Sequence, residues 1–278
     1  MAIRRVPLPS GLTVSVLDLG PLATGGREPL TPLVLLHGVG ADKGEWVFGA
    51  PLLARTRRVV APDLLGHGGT DKPTGSGVDY RIRLLADVVV ETLERMEGLA
   101  APVDLLGHSL GGAVALDVAR RFPRRLRRLV LVDAAGLPPR DALDPLAVSL
   151  PFAPNGFADS RRLLSTSVRS PLLSHPLVAL AASVYKGRRR NRPQLLKLLA
   201  AVAAGEDSLS PADLLRIRHR TLVLWGDRDR IFPVATGRRL AARLPYARLE
   251  ILPRCGHVPP TERPLAFVRR IEAFLTEP

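Results

Sequence analysis

The chain has 278 residues, 46% of them hydrophobic, and a formal net charge of +14. That length and apolar content support one large α/β domain with room for an inserted subdomain, and they argue against a small single-motif module. The single cysteine, Cys255, excludes an intrachain disulfide and a cysteine-ligated structural zinc, and no apolar run approaches the roughly 20 residues of a membrane helix.

In chain order, MAIRRVPLPSG opens with two arginines, but Pro7, Pro9 and Gly11 interrupt any signal-peptide core, so the expected location is cytoplasmic. LTVSVLDLG alternates apolar and polar residues and reads as an antiparallel edge strand. PLVLLHG, RRVVAPD, a helix from Ile82 to Met96, PVDLLGH, a helix ending at Phe122 and RLVLVDAAG follow. Apolar strands separated by helices of this length predict a mostly parallel central sheet with helices on both faces. The interval 137–219 breaks the alternation, being helical and proline-punctuated, and predicts a helical cap inserted over the C-terminal ends of the strands. TLVLWGD, a helix from Ala235 to Leu244, ARLEILP and a helix from Pro264 to Leu275 complete a core made of 1–136 and 220–278.

The positive charge is nearly all arginine, spread along segments such as RRFPRRLRR and FVRRIEAF, with few aromatics and no nucleic-acid motif. Solvated basic faces are expected rather than a nucleic-acid partner. KGRRRNR at 186–192 is the one dense cluster, suited to anionic substrates or lipid surfaces.

Chemistry is concentrated at Gly107, His108, Ser109, Leu110 and Gly111, a G-x-S-x-G turn between a predicted strand and a predicted helix. Glycines at both flanks let backbones approach closely and let Ser109 take a strained conformation, its hydroxyl projecting above the sheet. A serine hydroxyl needs a base to become a nucleophile. Of the six histidines, His257 lies on a glycine-containing loop after the last predicted strand, within reach of Ser109. An orienting carboxylate after TLVLWG comes from Asp227 or Asp229, in the chain order serine, acid, histidine.

With these residues the chain resembles the α/β-hydrolase superfamily over essentially its whole length. The family spacing of glycine, two variable residues and the acid, counted from Gly226, selects Asp229 and leaves Asp227 as a turn residue. The resemblance of LVLLHGVGADKGEW to the His-Gly oxyanion loop implies that the N–H groups of Val39 and Leu110 cradle the oxyanion, each worth about 3–4 kcal/mol, with His37 bracing the loop. VVAPDLLGHGGTDKP is similar to the Asp-x-x-Gly-x-Gly segment, making Asp63, Gly66 and Gly68 loop architecture.

A serine nucleophile separates the chain from branches with aspartate at the turn, and HGVGADKGEW resembles capped lipases and carboxylesterases. The resemblance implies a small-molecule ester substrate with an apolar acyl group of short to medium length, and no metal or organic cofactor. The expected mechanism is an acyl-enzyme, with activity falling at acid pH around the histidine value of about 6.5. The same triad also serves carbon-carbon hydrolases of aromatic ring-cleavage products and cofactor-free perhydrolases. The former often carry an aromatic after Gly-His, where this chain has Val258. A ligand-binding receptor with vestigial activity is the alternative of a different class.

Overall fold

Eight strands form one sheet: β1 (Ala2–Pro7), β2 (Thr13–Leu19), β3 (Leu30–Leu36), β4 (Arg57–Pro62), β5 (Val103–His108), β6 (Leu126–Val132), β7 (Arg220–Gly226) and β8 (Ala247–Leu252), in the order β1-β2-β4-β3-β5-β6-β7-β8. β1 pairs antiparallel with β2 and β2 antiparallel with β4, and every other pairing is parallel. The computed structural model describes residues 2–21, 30–74, 78–137, 167–168, 193–205 and 208–278. Most of the predicted cap, 137–219, and the basic cluster at 186–192 lie outside the described residues.

Central strands are built from unbroken apolar runs whose side chains alternate between two cores. Val34 and Leu36 of β3, Leu129 and Leu131 of β6, and Val223 and Trp225 of β7 face a core shared with α2 (Ile82–Arg95) and α3 (Leu110–Arg121). Leu33, Leu35, Val130, Val132, Leu222 and Leu224 face the other core. There they meet α1 (Ala50–Leu53) and the long C-terminal helix Pro264–Thr276. Full burial of one such leucine contributes about 1.5–3 kcal/mol before entropy is counted.

The predicted edge strand is corrected in one respect. β2 is antiparallel but lies second in the sheet, and the edge is β1, whose residues are exposed except Val6. β1 carries Arg4, Arg5 and Pro7, a composition suited to an exposed edge and without apolar alternation to reveal a strand.

Between β8 and the end of the chain come the short helix Pro259–Glu262 and then Pro264–Thr276; earlier, Pro193–Ala203, Pro211–Leu215 and Val234–Ala241 complete the helices among the described residues. In this order they are α4 (Pro193–Ala203), α5 (Pro211–Leu215), α6 (Val234–Ala241), α7 (Pro259–Glu262) and α8 (Pro264–Thr276). Among the described residues no helix is long and apolar enough to cross a membrane.

On the α8 face, the fully buried Phe267 stacks on Trp46 with ring centroids 6.4 Å apart, fixing the turn that follows β3. Phe267→Ala is expected to cost about 3–5 kcal/mol of unfolding free energy, measured by urea denaturation. A loss under about 1 kcal/mol would mean that the site collapses around the cavity.

Candidate active site

β5 runs into α3 through Ser109, which adopts φ 50 and ψ −116. A positive φ at a non-glycine residue stores strain of about 1–3 kcal/mol, and the neighbouring glycines explain how it persists. A Cβ on Gly107 would overlap the backbone of Gly111, and one on Gly111 would overlap the backbone of Leu36. Only glycine lets β5, α3 and β3 approach this closely. The Ser109 N–H donates to Val132 O at 3.0 Å, and Ala135 N–H donates to Ser109 O at 3.0 Å, tying the turn to the end of β6.

His257 follows β8, and its ring lies between Ser109 and Asp229. Nε2 is 3.0 Å from Ser109 Oγ and Nδ1 is 2.8 Å from Asp229 Oδ2, with all three residues buried. In this geometry Nδ1–H donates to the carboxylate, leaving Nε2 to accept the serine proton. Asp229 Oδ1 accepts from the N–H groups of Ile231 at 2.7 Å and Phe232 at 3.0 Å. Burial alone would raise the Asp229 carboxyl, but His257, the Phe232 N–H and Asp133 hold it below the usual range. Asp227 is exposed and caps the next loop, accepting from Cys255 N–H at 3.0 Å. The geometry thus favours Asp229 over Asp227.

The loop expected to form the oxyanion hole follows β3. Leu110 is the first residue of α3, so its N–H has no acceptor within the helix, and Val39 lies in the turn beside the Ser109 elbow. His37 braces this loop: Nδ1–H donates to Gly38 O at 2.8 Å, and Nε2 accepts from Leu64 N–H at 3.0 Å. Asp63 holds its far side, accepting from Lys43 N–H at 2.7 Å, Lys43 Nζ at 2.6 Å and Gly69 N–H at 2.7 Å. Gly66 and Gly68 take positive φ in the same segment, in keeping with an architectural role.

The structure adds three residues that sequence reasoning missed. Ser167, from the predicted cap, accepts the His257 N–H on its carbonyl at 2.8 Å. Glu45 is buried against His108. Asp133, at the end of β6, is fully buried and accepts from Gly226 N–H at 2.9 Å. Its ligand atoms lie within 4.8 Å of those of Asp229 and His257, the single cluster of metal-ligand spacing among the described residues. Both ring nitrogens of His257 are engaged by protein, so the cluster fits proton handling better than metal binding. Burial, and then the nearby Asp229 charge, push the Asp133 carboxyl well above its ordinary range, so a neutral acid stands beside an ionised one. A signal for Asp133 exists in RLVLVDAAG, where a charged residue closes a fully apolar strand.

Residues 31–264 match the family described as alpha/beta hydrolase fold. The chain is 33% identical to the 2-hydroxy-6-oxo-2,4-heptadienoate hydrolase of Pseudomonas putida, across 98% of this chain and 96% of that protein. Among solved structures it is similar to the 2-hydroxy-6-oxo-6-phenylhexa-2,4-dienoate hydrolase of a Rhodococcus species. The TM-score is 0.81 at 27% identity, covering 99% of each chain. It is equally similar in fold to a putative lipase of Acinetobacter baumannii, with a TM-score of 0.81 at 25% identity over 99% of this chain and 90% of that one.

Asp229→Asn is expected to lower kcat by about 10³–10⁴-fold, whereas Asp227→Asn stays within a few fold, both read in steady-state kinetics. Asp133 supplies a pH test. Its folded pKa lies above the unfolded value of about 3.9, so the stability it contributes is complete below that value and is lost as pH rises toward the folded pKa. Asp133→Asn, neutral throughout, should melt above the wild type at about pH 8, with the advantage shrinking toward about pH 4; a pH-independent difference in Tm would contradict a protonated Asp133.

Proposed function

The chain belongs to the α/β-hydrolase fold family, and we propose that within it this protein is a serine hydrolase cleaving carboxylic esters through an acyl-enzyme. The observation that carries the reading is the buried line from Ser109 Oγ to His257 Nε2 at 3.0 Å and from His257 Nδ1 to Asp229 at 2.8 Å. His257 takes the Ser109 proton as Oγ attacks the ester carbonyl, and the N–H groups of Val39 and Leu110 hold the oxyanion. The imidazolium, stabilised by Asp229, then protonates the leaving alcohol. Water repeats the cycle, giving its proton to His257 and releasing the acid from Ser109.

The interval 137–219 is assigned to the cap that shapes the acyl pocket. Support comes from Gln194 of α4, whose Nε2 donates to Lys72 O at 3.0 Å, and from the Ser167 carbonyl on the His257 loop. The apolar sequences LDPLAVSLPF and HPLVALAASVY in this interval support short to medium acyl chains. Val258 after His257, and an oxyanion loop of the lipase kind, favour esters.

A second reading rests on the dienoate hydrolase at 33% identity: the same serine machinery would cleave a carbon-carbon bond in a ring-cleavage product. Hydrolysis of p-nitrophenyl esters from acetate to palmitate, beside a ring-cleavage dienoate, separates the two. The ester reading expects a peak at short to medium chain length and a loss of about 10⁴–10⁶-fold in Ser109→Ala. Turnover of the dienoate above that of every ester transfers the assignment to the second reading. Equal inertness of wild type and Ser109→Ala on both substrates overturns the serine-hydrolase assignment.

A further inference from the structure

Beneath the nucleophile turn lies a buried ion pair that the proposed mechanism does not use. His108, the residue before Ser109, has Nδ1 at 2.7 Å from Glu45 Oε1, and the two side chains are only 4% and 6% exposed. On the other side of the ring, Nε2 is 2.7 Å from the backbone carbonyl of His257. Nδ1 meets Glu45 at ion-pair distance but off the hydrogen-bond direction, so charge attraction on that side and the Nε2–H bond to the carbonyl on the other hold the ring. Burial by itself would lower the basicity of His108, but Glu45, the His257 carbonyl and Asp229 raise it, and the His108 ring and the Gly38 N–H lower the Glu45 carboxyl against its own desolvation. The pair is charged on both sides.

Its contacts reach the other parts of the site. Glu45 Oε2 accepts the Gly38 N–H at 3.1 Å, one residue before Val39. The His108 ring lies 5.0 Å from the His257 ring, centroid to centroid. A Cβ on Gly38 would stand 3.1 Å from His108 Nδ1 and 3.4 Å from Ser109 Cβ, so loop, imidazolium and nucleophile are packed against one another.

Building on the serine-hydrolase reading, we propose that Glu45 and His108 form a positioning pair that sets the oxyanion loop and the general-base loop from one contact. Glu45 aims the Gly38–Val39 amides, and His108 holds the carbonyl of His257, so an error in one donor is shared by the base. The groups facing the pair are His37 on the β3 side, Asp229 after β7 and His257 after β8.

The test is phosphonylation of Ser109 by a fluorophosphonate probe, followed by intact mass, because its rate constant depends on neither the natural substrate nor the fraction of folded protein. Glu45→Gln is expected to slow the rate by about 10²-fold, the scale of an ångström-level misplacement. Where that variant fails to fold, Glu45→Gln/His108→Asn, which leaves no buried charge unpaired, carries the measurement. In either variant the loss should fall on the maximal rate of phosphonylation and leave the half-saturating probe concentration within about twofold, a split that a merely structural role would not produce. Labelled wild type with variant maximal rates within twofold of it, or with a loss confined to the half-saturating concentration, overturns the positioning role alone. A wild type that the probe does not label overturns the serine-hydrolase reading and this inference together.

Discussion

Everything at this site depends on a contact between backbones. β5, α3 and the end of β3 meet at Gly107 and Gly111 with no room for a side chain on either glycine. That closeness turns the chain sharply enough to place Ser109 at φ 50, above the C-terminal ends of the strands. The strain of about 1–3 kcal/mol is small against the burial of β5 and β6, and the hydrogen bonds from Ser109 N–H to Val132 and from Ala135 N–H to Ser109 transmit it to that core. A looser turn would relax the serine, swing the Leu110 amide and separate the nucleophile from the loop after β3.

The electrostatics then divide into two buried systems with opposite logic. Asp133 and Asp229 are like groups in one apolar place, and one of them gives up its charge so that the other can face His257 as a carboxylate. Glu45 and His108 are unlike groups, and both keep their charges because each is the counterion of the other. Low dielectric makes both outcomes sharper than they would be at the surface. His257 lies between the two systems: one orients its ring through Nδ1, and the other holds its backbone carbonyl.

The comparisons narrow the class of chemistry but span two kinds of substrate, dienoates and lipids, on nearly superimposable folds. That is expected when catalytic parts sit on the strand ends and specificity is left to inserted segments. The pocket proposed here for an acyl or dienoyl group is assigned to the interval 137–219, apart from the strand ends that carry Ser109, Asp229 and His257.

Local pattern carried much of this in advance. The parallel strands could be read from unbroken apolar runs, the nucleophile turn from glycines between a strand and a helix, and His257 from its loop after the last strand, since each depends on neighbours in sequence. Choosing Asp229 over Asp227 needed the family spacing and then the geometry, because two acids two residues apart look alike until one is seen buried against the ring. β1 escaped notice because an edge strand needs only one apolar side. Asp133, Glu45 and the Ser167 carbonyl could be recognised only in the folded chain. Their roles arise from partners 63 to 96 positions away, as in Glu45 with His108 or Asp133 with Asp229, and burial beside such a partner, which decides whether a carboxyl keeps its charge, is a property of tertiary packing.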